Sequence, residues 1–481
     1  MFENLEPGAV WCHFEAILKI PRPSGGEEKI IRHLTEFAQA RGLEWKKDKA
    51  GNLIIYKGAT PGYEDRPAVI LQGHVDMVCE KESGVVFDFE NNPIEAYVSE
   101  GWVRARGTTL GADCGIGIAA MLAVLESEDI AHPPLEALFT VDEERGLTGA
   151  FGLEKSLLSG RTLINLDSED EGELFTGCAG GIDTIAAFEY RRVKNPENLA
   201  FFRIDISGLA GGHSGDSIDR GPANSNKLLA RLLHLLSHSM ELYLSCFDGG
   251  NMRNAIPREA FAVFGAPLKS VVNLFEIYEE FEQSATEEFG EIEPDMSFTV
   301  CETPPVEYSI DPDTRRRLLD ALMALPNGVI AMSPKMEGLV ETSTNLASVK
   351  FAEGNRIEVT TSQRSSIESA KFYISRSVGA VFSLAGASVK HSDGYPGWNP
   401  NPDSHILEVT KSAYKRLFGV DPKVRAIHAG LECGLLLEKY PGMDMISFGP
   451  TLRGAHSPDE SLEIASVERF RILLVEVLAA L

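Results

Sequence analysis

Residues 68–78 read AVILQGHVDMV. The apolar run Ala68 to Leu71 leads into a polar turn that delivers His74 and Asp76 two residues apart. A short continuous apolar run bounded by turn residues is the pattern of a strand buried on both faces of a largely parallel sheet. Three further runs share it. Leu135 to Val141 ends in DEERG and delivers Asp142, Glu143 and Glu144. Thr162 to Leu166 ends directly in Asp167, and Met443 to Phe448 leads into GPTLRGAHSPDE, which contains His456. Between the first two runs, GTTLGADCGIG puts Asp113 at the start of Cys114 to Leu125, a small-residue apolar segment that reads as a buried helix. In open α/β sheets, ligands gather outside the carboxyl ends of the strands. One histidine or aspartate at a strand end is an ordinary turn residue. Four strand ends converging on two imidazoles and several carboxylates predict a site.

Working outward, helical patterns run through Val10, Phe14 and Leu18 to Pro21, and through Ile30, Leu34 and Phe37 to Gly42. The texture changes across 185–391, where half-buried strands such as Phe201 to Ile206 and Ala260 to Phe264 alternate with amphipathic helices at about Asn224 to His238 and Val271 to Phe289. That rhythm is β-α-β-β-α-β. It repeats weakly after Val300, with helices at about Asp313 to Leu325 and Ser366 to Leu384 around strands at about Ala347 to Phe351 and Arg356 to Thr361. The polar stretch HSDGYPGWNPNPDS, His391 to Ser404, reads as a return linker. The expected fold is α/β: a catalytic domain with a mostly parallel sheet, residues 1–184 and 392–481, interrupted by an inserted α+β lid, residues 185–391, ferredoxin-like and with a doubling suggested by the repeated rhythm.

The chain has 481 residues and 71 acidic against 45 basic side chains, a net charge of −26. This excess opposes phosphate backbones and anionic lipid, so neither nucleic acid nor membrane is expected as a partner. Apolar stretches such as Ile116 to Leu125 are far shorter than a bilayer span. Seven cysteines from Cys12 to Cys433 form no CxxC pair, and the N-terminal MFENLEPGAVW lacks the charge pattern of an export signal. A cytoplasmic protein with reduced thiols is expected. The acidic stretch Glu276 to Asp295 has apolar residues near helical spacing and reads as a solvated helix face. His234 and His238 share a helical face and read as structural.

Imidazole and carboxylate without thiolate suit a catalytic Zn²⁺, Mn²⁺ or Co²⁺ site rather than a closed structural zinc site. The carboxylates exceed the needs of one ion, whereas two ions about 3.5–4 Å apart, bridged by one carboxylate, would use them all.

In this order and combination, GHVDMV, TLGADCGIG, DEERGLTGA, NLDSE, GGHSG, NAIP, HAGLECG and GAHSPDE resemble the motifs of the co-catalytic two-metal peptidases that include aminoacylase, glutamate carboxypeptidase and carnosinase. The resemblance covers essentially the whole chain and is strongest to the branch that hydrolyses Xaa-His dipeptides. It implies two divalent ions, zinc first, with manganese or cobalt as alternatives. His74 would bind one ion and His456 the other, Asp113 would bridge them, and Glu144 and Asp167 would complete the two sites. Glu143 would be the general base for a metal-bridging water, and Asp76 would orient the His74 imidazole. His213 matches the position that steadies the oxyanion, and Asn254 and Arg364 match substrate-holding positions, Arg364 as a clamp for the C-terminal carboxylate. His428, Glu432 and Asn345 match family positions for which a supporting role is expected. The partner implied is a dipeptide, admitted beneath a long lid, and a homodimer is the family's habit. The competing readings are an aminoacylase or tripeptidase with the same metal site, or a non-catalytic binding protein on this fold.

Overall fold

The computed structural model describes residues 2–401 and 403–481. The chain divides into two compact units, one made of Met1–Gly177, Pro400–Ala426 and Leu431–Leu481, the other of Cys178–Asn399 with Ile427–Gly430. Residues 178–184 and 392–399, given to the catalytic halves by the sequence reading, therefore lie in the second unit.

The first unit is built on an eight-stranded sheet in the order Glu44–Lys47, Leu53–Lys57, Leu135–Thr140, Val69–His74, Thr162–Asn165, Asp444–Ser447, Glu173–Cys178, Lys423–Ile427. The four middle strands are parallel, and antiparallel strands flank them. These four are the strands expected from the apolar runs. Every residue of Val69–His74 and Leu135–Thr140 is buried, as continuous hydrophobic strands require. The helix Ala112–Glu126 buries all its residues except Asp113 and Glu126. It approaches the sheet closely because Gly117 has no side chain, and a Cβ there would lie 2.6 Å from the Leu166 carbonyl oxygen. A second sheet of four short strands pairs Ser461–Glu463 with Trp102–Ala105 and with Leu452–Arg453. It holds the loop containing His456 against the segment that leads to Asp113.

The second unit has one antiparallel sheet in the order Ser297–Glu302, Leu199–Ser207, Ala260–Pro267, Tyr243–Gly249, Val340–Ala352, Arg356–Ser365, Gly180–Glu189, Ser388–His391, with Gly328–Met332 paired to Val340–Ala352. The first four strands, with helices Ser225–Ser239 and Val271–Phe289, form a β-α-β-β-α-β motif in spatial order 4-1-3-2. The last four, with helices Pro312–Ala324 and Glu368–Leu384, form a second such motif in mirrored order, 2-3-1-4. The doubling is therefore real, and it is nested. The outer motif's first strand, Gly180–Glu189, precedes the whole inner motif, and the two motifs meet at Gly249 and Val349. One apolar core serves both, from Phe202, Phe264 and Leu233 to Leu319, Val359 and Phe382.

Candidate metal centre

The predicted residues of the first unit gather at strand ends and just beyond them: His74 ends Val69–His74, Glu144 and Asp167 follow Leu135–Thr140 and Thr162–Asn165, His456 follows Leu452–Arg453, and Asp113 opens the helix Ala112–Glu126. Asp113 stands between the two histidines. Its Oδ1 lies 3.1 Å from His74 Nε2 and its Oδ2 lies 3.1 Å from His456 Nε2. On the His74 side, Asp167 Oδ1 is 3.2 Å from the same Nε2. On the His456 side, Glu144 Oε2 is 3.1 Å from that Nε2. Two half-sites thus share one carboxylate, each with one imidazole and one further acid.

Asp76 supports both the histidine and the acids. Its Oδ1 is 3.5 Å from His74 Nδ1, and its carboxylate accepts the backbone N–H of Glu143 at 3.0 Å, the N–H of Glu144 at 3.2 Å and the Ser24 hydroxyl at 2.8 Å. The backbone carbonyl of Asp76 lies 3.2 Å from His74 Nδ1, and its side chain anchors the turn that carries Glu143 and Glu144. Burial alone would raise the Asp76 carboxyl, but the His74 imidazole and these donors bring it down to about 2.

Two positioning residues have no side-chain signature in the sequence. Glu460, buried at the end of GAHSPDE, accepts the backbone N–H groups of Leu110, Gly111 and Ala112 at 2.7–2.9 Å and so fixes the segment that ends in Asp113. Arg22 is fully buried and donates to the carbonyls of Val75 at 2.9 Å, Asp76 at 2.7 Å and Gly111, tying the His74 loop to the Asp113 loop. Gly111 has φ 72, and a Cβ there would lie 2.7 Å from Arg22 Nη2, so only glycine fits. Beneath the strand ends, the Glu432 carboxylate accepts from Gln72 Nε2 and the Thr140 hydroxyl, both at 2.6 Å. Glu432 is the supporting residue expected from HAGLECG.

The electrostatics are those of a centre short of positive charge. Burial pushes the Glu143 carboxyl well above the usual carboxylate range, with Asp167, Glu144 and Glu432 adding to the effect. Burial likewise raises Asp167 to about 6, Glu432 to about 7 and Glu169 to about 8. Hydrogen bonds to Asp113 and Glu144 push His456 up to about 11. Glu144 Oε1 is buried without a hydrogen-bond partner. Such orphaned acceptors are costly unless something positive faces them. The donor set, the orphaned Glu144 oxygen and the surplus of acids fit two divalent cations.

The second unit collects the other predicted residues. His213 Nδ1 faces the backbone N–H groups of Gly215 at 3.3 Å and Asp216 at 3.2 Å and lies 3.4 Å from Asp216 Oδ2. Its Nε2 is 3.4 Å from Arg364 Nη2. Arg364 is 6% exposed and donates from Nη1 to the Tyr395 hydroxyl at 2.9 Å. Pairing of Gly212–His213 with Ala255–Ile256 brings the exposed Asn254 alongside, its carbonyl accepting from Ser214 N–H at 2.8 Å. Asn345 is buried and donates to the Ala255 carbonyl at 2.8 Å, and His428 Nε2 lies 2.7 Å from the Ser343 hydroxyl. Tyr395 and Trp398 come from the stretch read as a linker. Both make backbone pairs with the Cys178–Gly181 segment, and Trp398 is 3% exposed, so this part is built into the unit. Pro402 of the same stretch lies outside the described residues.

Comparison with known proteins agrees. A sequence model of peptidase family M20/M25/M40 matches residues 70–480. The chain is 42% identical over 475 residues to a cytosol non-specific dipeptidase of Escherichia coli (strain K12), covering 99% of this chain and 98% of that one. Its structure is similar to that of an aminoacylhistidine dipeptidase from Vibrio alginolyticus, with TM-score 0.91, 42% identity and coverage of 100% and 98%. A tripeptidase from Staphylococcus aureus shares the fold at TM-score 0.58 and 17% identity, with coverage of 99% and 98%. With the family matched over most of its length and a relative this similar across nearly all of it, the chain is a peptide hydrolase and belongs to peptidase family M20/M25/M40.

Proposed function

We propose that the chain is a two-metal dipeptidase that hydrolyses dipeptides, Xaa-His dipeptides among them. The observation that carries the reading is Asp113, whose two oxygens each face a different imidazole at 3.1 Å. His74 and Asp167 would hold one ion, His456 and Glu144 the other, and Asp113 both. Zinc suits this donor set first, with manganese and cobalt as alternatives. Two such cations, when bound, polarise the scissile carbonyl and make water acidic enough to attack near neutral pH. Glu143 makes no ion pair with either imidazole among the described residues, whereas its neighbour Glu144 pairs with His456. Glu143 is therefore the carboxylate free to take a proton from the attacking water and return it to the leaving amine. Asp76 keeps His74 and the Glu143 turn in register. His213 steadies the oxyanion, Asn254 holds the substrate, and Arg364, kept in place by Tyr395, takes its C-terminal carboxylate.

The relatives at 42% identity are both named dipeptidases, which favours dipeptides over the tripeptide and N-acetyl alternatives. Cytoplasmic location and a homodimer complete the proposal, the latter checked by light scattering. A panel of dipeptides, dipeptide amides, tripeptides and N-acetyl amino acids tests the substrate class. Dipeptides with a free carboxylate should be cleaved fastest, and a preference for N-acetyl substrates would overturn the reading. Arg364→Ala should raise KM for these dipeptides by about 10-fold or more, the loss of a charge-assisted hydrogen bond, and change KM for the amides little. Equal changes for acid and amide would remove Arg364 as the clamp.

A further inference from the structure

We propose that His234, His238 and Asp320 form an accessory site for a zinc-class divalent ion, which clips together the two nested motifs of the second unit. The helix Ser225–Ser239 belongs to the inner motif and the helix Pro312–Ala324 to the outer one, and the two pack side by side. Lys227 already ties them, donating to the carbonyls of Leu322 at 2.6 Å and Leu325 at 2.8 Å. Further along the same seam, His234 and His238 lie one helical turn apart on one face. His238 Nδ1 donates to the His234 carbonyl at 2.9 Å, so its lone pair is on Nε2. The two rings stand 4.2 Å apart between centroids. His234 Nε2 is 3.4 Å from Asp320 Oδ1 across the seam.

A zinc ion with bonds of about 2.0–2.2 Å in tetrahedral geometry separates its ligand atoms by about 3.3–3.6 Å. The His234–Asp320 distance already matches one edge of that figure. One donor atom from each residue lies within 4.8 Å of those of the other two, and the ring of His238 is exposed, so side-chain rotation closes the remainder. A plain hydrogen bond accounts for His234 and Asp320 alone. It does not account for the second imidazole set beside them, tilted by 41°, with a free nitrogen. Arg316 Nη1, 3.8 Å from Asp320 Oδ2, leaves Oδ1 available. Two imidazoles and one carboxylate favour zinc, nickel or copper over calcium or magnesium, and water would supply the fourth ligand. The site lies wholly within the second unit and does not depend on the dipeptidase reading.

The test counts metal bound to the full chain after equilibrium dialysis against about 100 µM free Zn²⁺, with peptide hydrolysis assayed on the same samples. The wild-type chain should carry one ion more than both the His234→Ala/His238→Ala double variant and Asp320→Asn, with hydrolysis unchanged in all three. Zn²⁺ added at this concentration should raise the Tm of the wild type above that of either variant. Equal metal content in wild type and double variant would overturn the site. Loss of the ion in the histidine variant but not in Asp320→Asn would overturn the clip. The Asp320 side chain is 44% exposed on its helix, so the asparagine variant keeps the test decisive if the double variant fails to fold.

Discussion

Glu143→Gln is expected to lower kcat by about 10³- to 10⁴-fold while the chain keeps its full complement of metal, the range for removing a residue that acts as both general base and general acid. Glu143 and Glu144 are adjacent in sequence, and the same Asp76 carboxylate accepts both their N–H groups. Their side chains have different partners. Glu144 Oε2 lies 3.1 Å from His456 Nε2, whereas Glu143 makes no ion pair with either imidazole among the described residues. Glutamine preserves size and hydrogen bonding and removes only the ability to carry a proton. Metal counting beside steady-state turnover checks this. A fully active variant would remove Glu143 from the reaction, and a variant that lost metal along with activity would make it a ligand.

Asp113→Ala should strip both ions and lower activity by at least about 10³-fold, more than the removal of a single oxyanion donor costs. His456→Ala, by contrast, should leave the half-site of His74 and Asp167 able to hold one ion. The difference follows from the geometry at Asp113, where each oxygen faces one histidine and, among the described residues, no other acid pairs with both. Atomic emission on protein dialysed against weak chelator measures it. An Asp113 variant that retained two ions would show that the acid does not bridge.

Much of this centre was legible because its signals are local. Each of the clustered residues follows a continuous apolar run or opens a buried helix, and the rule that sites form at strand carboxyl ends then brings the runs together. Arg22 and Glu460 were not legible. Their partners are backbone carbonyls and N–H groups up to 350 residues distant, and backbone leaves no mark in a sequence. The lid's doubling showed in the repeated β-α-β-β-α-β rhythm, but its nesting did not. Gly180–Glu189 precedes the inner motif and pairs with Arg356–Ser365 far downstream, and nothing in a half-buried strand states which partner it will take. The stretch around Tyr395 and Trp398 reads as a linker from its glycines and prolines. In the structure the same glycines allow close backbone approach, since a Cβ at Gly394 would lie 2.6 Å from the Gly181 carbonyl oxygen and one at Gly397 2.8 Å from the Gly180 nitrogen.

The most direct measurement titrates metal-free protein with Zn²⁺ while following hydrolysis of an Xaa-His dipeptide. The rate should rise and level off at two equivalents per chain, with further ions bound at the helix seam adding nothing to it. A full rate at one equivalent, or no cleavage at any loading, would contradict a two-metal dipeptidase.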